Sequence, residues 1–213
     1  MRVSVTDVEQ FRLIQQTDWA SEAELVAKFQ GKPFEQTWKQ KAGCAWEDVL
    51  RCPDKYRKGT QHADGTVLEW YACDGHAFSV ADVQAGLDVV GPQGVHQVKA
   101  ERELTVDGEP VVIVGKADHL LGTRIDDWKL TFGQIDAQFY ELALQWRFYL
   151  WLFGASAFRY CVFRFDEPKD AHVALREIYS VQFFPYADLE ADCTSWLADF
   201  VRWARKIGKG VAA

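Results

Sequence analysis

The chain contains no Cys-x-x-Cys pair and no closely spaced histidines. Its five cysteines, Cys44, Cys52, Cys73, Cys161 and Cys193, are scattered and odd in number, which argues against a disulfide framework and against a zinc ribbon. The five histidines, His62, His76, His96, His119 and His172, form no His-x-x-x-His pair, so a zinc hydrolase is not expected. No serine sits in a Gly-x-Ser-x-Gly elbow, and no glycine-rich phosphate loop occurs. The longest apolar run, near Phe148 to Phe153, is far too short to span a bilayer. The N-terminus has no basic segment followed by an apolar one, so no secretory signal is read. A reducing cytoplasm is the expected compartment. Repeats, linkers and low-complexity tracts are missing as well, so residues 1–213 are read as one domain. Within it, 1–94 form an N-terminal helical part with a hairpin, and 95–213 form the core with a C-terminal helix.

Basic charge is also in short supply. Lys and Arg number 24 against 31 Asp and Glu, for a net charge of -7. Affinity for a phosphate backbone comes from Lys and Arg, so any such surface must be local rather than global. Two stretches qualify. One is Arg51 to His62, read as a basic loop with Lys55, Arg57 and Lys58 around Tyr56. The other is the C-terminal end, with Arg202, Arg205, Lys206 and Lys209. What is plentiful is apolar surface: 48% of residues are hydrophobic and 26% charged, the balance of a globular core.

Local patterns give the element order. Thr6-Asp-Val-Glu9 reads as a capping box opening a helix from Asp7 to Gln16, and Ser21-Glu-Ala-Glu24 opens a second to Phe29. A third helix runs through Gly43 to Leu50. Val67 to Tyr71 and His76 to Phe78 form a hairpin around Asp74-Gly75, and a helix follows from Ser79 to Val90. Gly91 to Gly94 is a loop. A long strand from Val95 to Val106 turns at Asp107-Gly108. After residue 131, one helix is expected from Asp136 to Phe153. Its apolar stripe is Phe139, Leu142, Ala143, Trp146, Leu150 and Phe153, and Gly154 stops it. Strands from Phe158 to Phe165 and from Val173 to Phe184 precede a helix from Leu189 to Ile207.

The stretch from Val111 to Lys129 organises the rest. Val111 to Val114 is a β-branched run favoured in strands. Gly115 interrupts it, and Asp118 lies near the end of its continuation to Leu121. Gly122-Thr123 is a turn. Arg124 to Lys129 is the next strand, with Ile125, Asp127 and Lys129 on one face and Asp126 and Trp128 on the other. Trp128 is expected to pack beneath a helix, and His119 to point away from Asp118. Two carboxylates converging from neighbouring strands can hold a hard divalent cation, and a lysine beside them completes the minimum for metal-assisted phosphodiester hydrolysis. Asp-x-Lys on a strand is also a common solvated ion pair.

Gly115-Lys-Ala-Asp118 followed by Ile125-Asp-Asp-Trp-Lys-Leu-Thr131 resembles the core of the PD-(D/E)XK nuclease superfamily, and is most similar to its RecB-like and phage-exonuclease members. Gln145-Trp-Arg-Phe-Tyr149 is similar to the glutamine and tyrosine those members carry on the following helix. The resemblance implies an α/β restriction-endonuclease-like core of αβββαβ order, a central mixed sheet flanked by helices, with extra N-terminal helices. It implies Mg²⁺- or Mn²⁺-dependent DNA hydrolysis, exonucleolytic in kind, of the phage-type or RecB-like sort. Asp118 and Asp127 would be metal ligands, the Trp128 carbonyl would complete the shell, and Lys129 would act on the attacking water. Gln145, and Tyr149 with it, would orient the scissile phosphate or its water; the alternative is Tyr149 as core and Gln145 as a helix-side hydrogen-bonder. Gly43 to Glu47 is similar to the family's Gly-x-x-x-Glu, which would give Glu47 a second ion; a surface glutamate fits equally. Glu101 and Glu103 are available on the first core strand. Some RecB-like members hold an iron–sulfur cluster through clustered C-terminal cysteines. Only Cys193 lies there, so no cluster is expected. DNA is the implied partner, with a phage single-strand-binding or annealing protein as the implied protein partner, in a bacterial host if phage-encoded. The competing class is a nuclease-fold module that has lost catalysis and binds nucleic acid or protein.

Overall fold

In the computed structural model, residues 1–32, 35–91, 94–167 and 172–207 are described. Pro92 and Gln93 of the expected loop and Lys209 of the basic terminus lie outside them. The elements in order are β1 (Arg2–Ser4), α1 (Val5–Gln16), α2 (Glu22–Phe29), α3 (Trp38–Arg51), α4 (Pro53–Tyr56), β2 (Arg57–Gln61), β3 (Val67–Cys73), β4 (His76–Ser79), α5 (Val80–Val90) and β5 (Val95–Val106). There follow β6 (Glu109–Leu121), β7 (Arg124–Thr131), α6 (Ala137–Leu142), α7 (Gln145–Phe153), β8 (Ala157–Phe165), β9 (His172–Val173), β10 (Leu175–Phe183) and α8 (Leu189–Lys206). Among the described residues, no helix is long and apolar enough to cross a membrane.

The expected α/β architecture is present. The central sheet has the order β1-β6-β7-β8-β10, with β5 also on β6. It is mixed: β1 is parallel to β6 and β7 to β8, while the other pairs are antiparallel. Strand β8 shows how the sheet is sandwiched. Phe158, Tyr160 and Val162 face the core built with α1, α7 and α8. Cys161, Phe163 and Phe165 face a second core built with α3, α5 and the small sheet β2-β3-β4-β9. A strand buried on both faces reads as a continuous apolar run. Trp128 joins the second core with Trp46 of α3, as the strand parity predicts.

Strand β6 carries the defining irregularity. β5 covers one edge of it throughout, from Val95 opposite Leu120 to Val106 opposite Glu109. The other edge is divided. β7 pairs with His119 to Leu121, and β1 pairs with Val112 to Val114. Between those stretches, that edge has no strand partner among the described residues. The side-chain alternation also changes phase there. Val111, Ile113 and Ala117 belong to the α7 core, but His119 meets Asp126 and Trp128 on the opposite face. Gln97 of β5, across from Asp118 in register, takes a positive φ of 56°.

Gly115 does not interrupt the strand. It lies inside β6, and a Cβ there would stand 2.8 Å from Leu152 Cδ2 and 2.9 Å from Tyr149 Cε1. Glycine is present so that α7 can lie close against the strand. The expected single helix from Asp136 to Phe153 is two helices. Ala143 is extended, at φ -60° and ψ 140°, and the Leu144 N–H donates to Glu9 Oε2 of α1 at 2.5 Å. A carboxylate from another helix thus caps α7 where the positive end of its dipole favours it. The stripe accordingly splits: Ala143, Trp146, Leu150 and Phe153 pack on the core, but Phe139 and Leu142 are exposed.

Further differences are local. α1 is capped by Ser4 with Asp7, not by Thr6 with Glu9, and Ser21 makes no side-chain cap bond. α3 begins at a Thr37–Gln40 capping box. The expected loop from Arg51 to His62 is the end of α3, then α4 and edge strand β2, whose five residues are all exposed and so carry no alternation. Residues 172–173 and 175–183 belong to different sheets.

Behind β7, Asp126 is held from several sides. Oδ1 accepts from Arg124 Nε and Arg159 Nε, both at 2.9 Å. Oδ2 accepts from Arg159 Nη2 at 2.7 Å and lies 3.2 Å from His119 Nδ1. Burial alone would raise its pKa, but the bonds from His119, Arg159 and Arg124 outweigh it and hold it down to about 2. The cluster ties β6, β7 and β8 together directly behind Asp127.

Two stability outcomes are expected. Gly115→Ala should overpack the α7 contact and lower the unfolding free energy by about 1–3 kcal/mol, read as a lower urea midpoint. Asp126→Asn should lower the melting temperature at neutral pH. A carboxyl with a depressed folded pKa contributes stability above its unfolded value of about 3.9 and loses it as the pH falls through the folded one. The gap between wild type and Asp126→Asn should therefore close between about pH 4 and about pH 2; a gap that stays constant would show that Asp126 acts through shape alone.

Candidate active site

A cavity of about 270 Å³ opens at the divided edge of β6. Asp118 of β6, Asp127 and Lys129 of β7, Glu47 of α3, and Gln145 and Tyr149 of α7 all line it. Lys116 and the first turn of α1, Val5 and Thr6, complete its wall with Ser4. Six of the residues singled out in sequence, Glu47, Asp118, Asp127, Lys129, Gln145 and Tyr149, thus converge on one place, while the Trp128 side chain packs in the second core.

Each side chain is positioned by a definable feature. The phase change in β6 sends Asp118 toward β7, where Oδ2 accepts the Trp128 N–H at 3.2 Å. That bond is a substitute for the missing ladder between the two strands. Lys129 Nζ stands 2.5 Å from Asp127 Oδ2, side by side through the period of two. Asp127 Oδ1 accepts from Gln145 Nε2 at 2.7 Å. The break before α7 puts Gln145 at the first helical position, aimed back at β7. Tyr149 is buried, and its hydroxyl donates to the Lys116 carbonyl at 2.8 Å. It therefore ties α7 to the part of β6 that lies between the β1 and β7 pairings.

The electrostatics are those of crowded carboxylates. Burial first, then the Asp118 and Asp127 charges, push Glu47 up to about 8, against the pull of Lys129. Burial pushes Asp127 up to about 7, with Asp118 adding to it and Lys129 opposing. Lys129 is shifted the other way. Burial would lower its pKa, but Asp127, Asp118 and Glu47 raise it above the ordinary lysine range. Its side chain remains 36% exposed, so a fixed positive charge faces the cavity. Separated pKa values among neighbouring groups are characteristic of functional sites.

Glu101 and Glu103 do not join this group. Glu101 sits opposite Val114 and pairs with Arg2 at 2.6 Å, and both glutamates are exposed. β5 flanks the other edge of β6, away from β7. The capping glutamate Glu9 and the wall residues Lys116 and Thr6 were not read as site residues in the sequence, where Thr6 and Glu9 stood only as a capping box. Only the Gly115-Lys-Ala-Asp118 run hinted at Lys116.

The donors present suit a hard cation. All are oxygens, and Asp127 Oδ2 is buried without a hydrogen bond, its ammonium neighbour apart. Among the described residues, no three of His, Cys, Asp or Glu converge tightly enough to cage an ion unaided. Mg²⁺ does not require that, since it is commonly held by one or two carboxylates together with waters and substrate phosphates.

No family model and no curated protein matches the chain. Solved structures do resemble it. An alkaline exonuclease from Laribacter hongkongensis is similar over 99% of this chain and 93% of its own, at 13% identity and a TM-score of 0.50. A phage-related exonuclease from Haemophilus somnus 129PT is similar over 98% of this chain and 94% of its own, at 12% identity and a TM-score of 0.52. At these identities the likeness is one of fold: the chain shares the fold of these two exonucleases.

Proposed function

We propose that the protein is a metal-dependent deoxyribonuclease, exonucleolytic in action, that hydrolyses phosphodiesters at the β6 fork. The observation that carries this reading is the convergence of Asp118, Asp127, Lys129, Glu47 and Gln145 on one cavity. Its support is the fold shared with two proteins described as exonucleases. Asp118 and Asp127, with the Trp128 carbonyl, would hold Mg²⁺ or Mn²⁺, and Glu47 would hold a second ion. A divalent ion bound there supplies Lewis-acid activation of water and offsets phosphate charge.

The chain's own groups do the rest. Lys129 holds its ammonium against Asp127 and faces the cavity, where it can orient a water and stabilise negative charge developing on the phosphate. Gln145 fixes the Asp127 carboxylate through Oδ1 and so sets the direction of its remaining lone pairs. Tyr149 acts one step removed, through the Lys116 carbonyl. The first turn of α1 turns the positive end of a helix dipole toward the cavity. With Lys116 and Lys129, and with a bound cation offsetting Glu47, Asp118 and Asp127, that end would favour a phosphate in a protein whose overall charge repels it.

Nuclease activity on end-labelled linear DNA and on covalently closed DNA tests this reading, with Mg²⁺ or Mn²⁺ present. Linear DNA should be degraded and circles spared, and Lys129→Ala should lose about 10²- to 10³-fold in turnover, the usual cost of removing one preorganised charge-stabilising group. DNA binding without cleavage by the wild type would instead favour a binding module. Gln145→Ala should lower turnover with little change in melting temperature; unfolding would make Gln145 structural. Mg²⁺ or Mn²⁺ should raise the melting temperature, by about 2.7 kcal/mol of added stability at 100-fold excess over the dissociation constant, and Asp118→Asn should abolish the rise.

A further inference from the structure

The face of β5 and β6 turned away from α7 carries two lysines at one level. Lys99 and Lys116 are partners in the β5–β6 register. Their sequence neighbours Ala100 and Gly115 face α7: Ala100 packs on the core there, and a Cβ on Gly115 would meet Leu152 and Tyr149. Alternation therefore puts both lysines on the other face, and both are exposed. Directly opposed residues of an antiparallel pair have Cβ atoms about 4.5–5.5 Å apart, and like charges there are destabilising. Nothing nearby relieves them. Among the described residues neither ammonium makes an ion pair or a hydrogen bond. Glu101, two residues along the same face of β5, is taken by Arg2 at 2.6 Å.

Two ammoniums held together without a carboxylate between them suit an anion that can accept from both. A phosphodiester has two non-bridging oxygens, one for each. The place of the pair says which phosphate. Lys116 lines the cavity of Asp118 and Asp127. Lys99 stands on β5, across β6 from the β7 strand that carries Asp127. An anion shared by the two lysines therefore lies beside the metal-binding carboxylates and not between them.

We infer that Lys99 and Lys116 jointly grip a second phosphate of the bound DNA strand, other than the one at the Asp118–Asp127 site, so that the strand crosses β6 toward β5 on this face. The inference rests on the nuclease reading for that strand. The repulsion between the two lysines is then a stability cost that the bound phosphate relieves.

The test combines Lys99 variants with single methylphosphonate substitutions, each of which removes the charge of one phosphate. Binding of labelled oligonucleotides scanned in this way is read by fluorescence anisotropy in EDTA, so that nothing is cut. Lys99→Gln should weaken binding about tenfold, the usual scale for a charge-assisted hydrogen bond, and reduce the slope of log K against log salt by about 1. One methylphosphonate position, other than the one cleaved when Mg²⁺ is added, should weaken the wild type by a similar factor and leave Lys99→Gln unaffected. Lys99→Arg should restore binding, and with Mg²⁺ Lys99→Gln should raise KM more than it lowers kcat. Lys99→Glu should weaken binding further yet raise the melting temperature at low salt, because a repelling cross-strand pair becomes an attracting one. Equal losses at every methylphosphonate position in wild type and Lys99→Gln overturn the grip even if the protein cuts DNA. The coupled position in a protein that never cuts DNA would support the grip and remove the nuclease reading instead.

Discussion

A β-strand has two edges, and in β6 one of them is shared between two partners that do not meet. β1 takes Val112 to Val114 and β7 takes His119 to Leu121. Backbone left between them must find hydrogen bonds elsewhere or face solvent. Here Tyr149 serves the Lys116 carbonyl and Asp118 serves the Trp128 N–H. The gap is thus both a defect in the sheet and the opening of the cavity. Gly115 lets α7 approach within contact of it, and Glu9 fixes where α7 begins. Both α7 residues of the candidate site follow from those two constraints.

The two faces of β7 divide the electrostatic work. Asp126 is surrounded by Arg124, Arg159 and His119 and is held ionised. Asp127, one residue on, has one ammonium and one amide, and faces two further carboxylates. One carboxylate is therefore fully compensated by the protein and serves to lock strands together. The other is under-compensated, with Oδ2 buried and no hydrogen bond to it beyond its ammonium neighbour. Adjacent residues in a strand point to opposite faces, so a single Asp-Asp pair supplies both. Lys116, Lys129 and the start of α1 place positive charge on the wall of a cavity that Glu47, Asp118 and Asp127 also line.

Much of this was legible in the sequence where local chemistry dominates. The turns at Asp107-Gly108 and Gly122-Thr123, the alternation in β7 and the apolar run of β8 announce themselves. So do Asp118, Asp127 and Lys129, by spacing. What was not legible depends on distant partners. The break between α6 and α7 falls in a run of good helix formers, and its cause, Glu9, lies 135 residues away. β1 is three residues long and is defined only by β6. β2 is exposed throughout, so pairing rather than hydrophobicity makes it a strand. The phase change at Asp118 leaves no mark in residue type. The Thr37–Gln40 box, by contrast, was readable from Thr37-Trp-Lys-Gln40 as it stands.

The most direct measurement is an anomalous difference map from crystals soaked in Mn²⁺. A peak within coordinating distance of both Asp118 and Asp127, absent in Asp118→Asn crystals, is the predicted result. A protein that cleaves DNA with Mn²⁺ but shows its peak elsewhere, or shows none between those carboxylates, would contradict the assignment of the β6 fork as the catalytic centre.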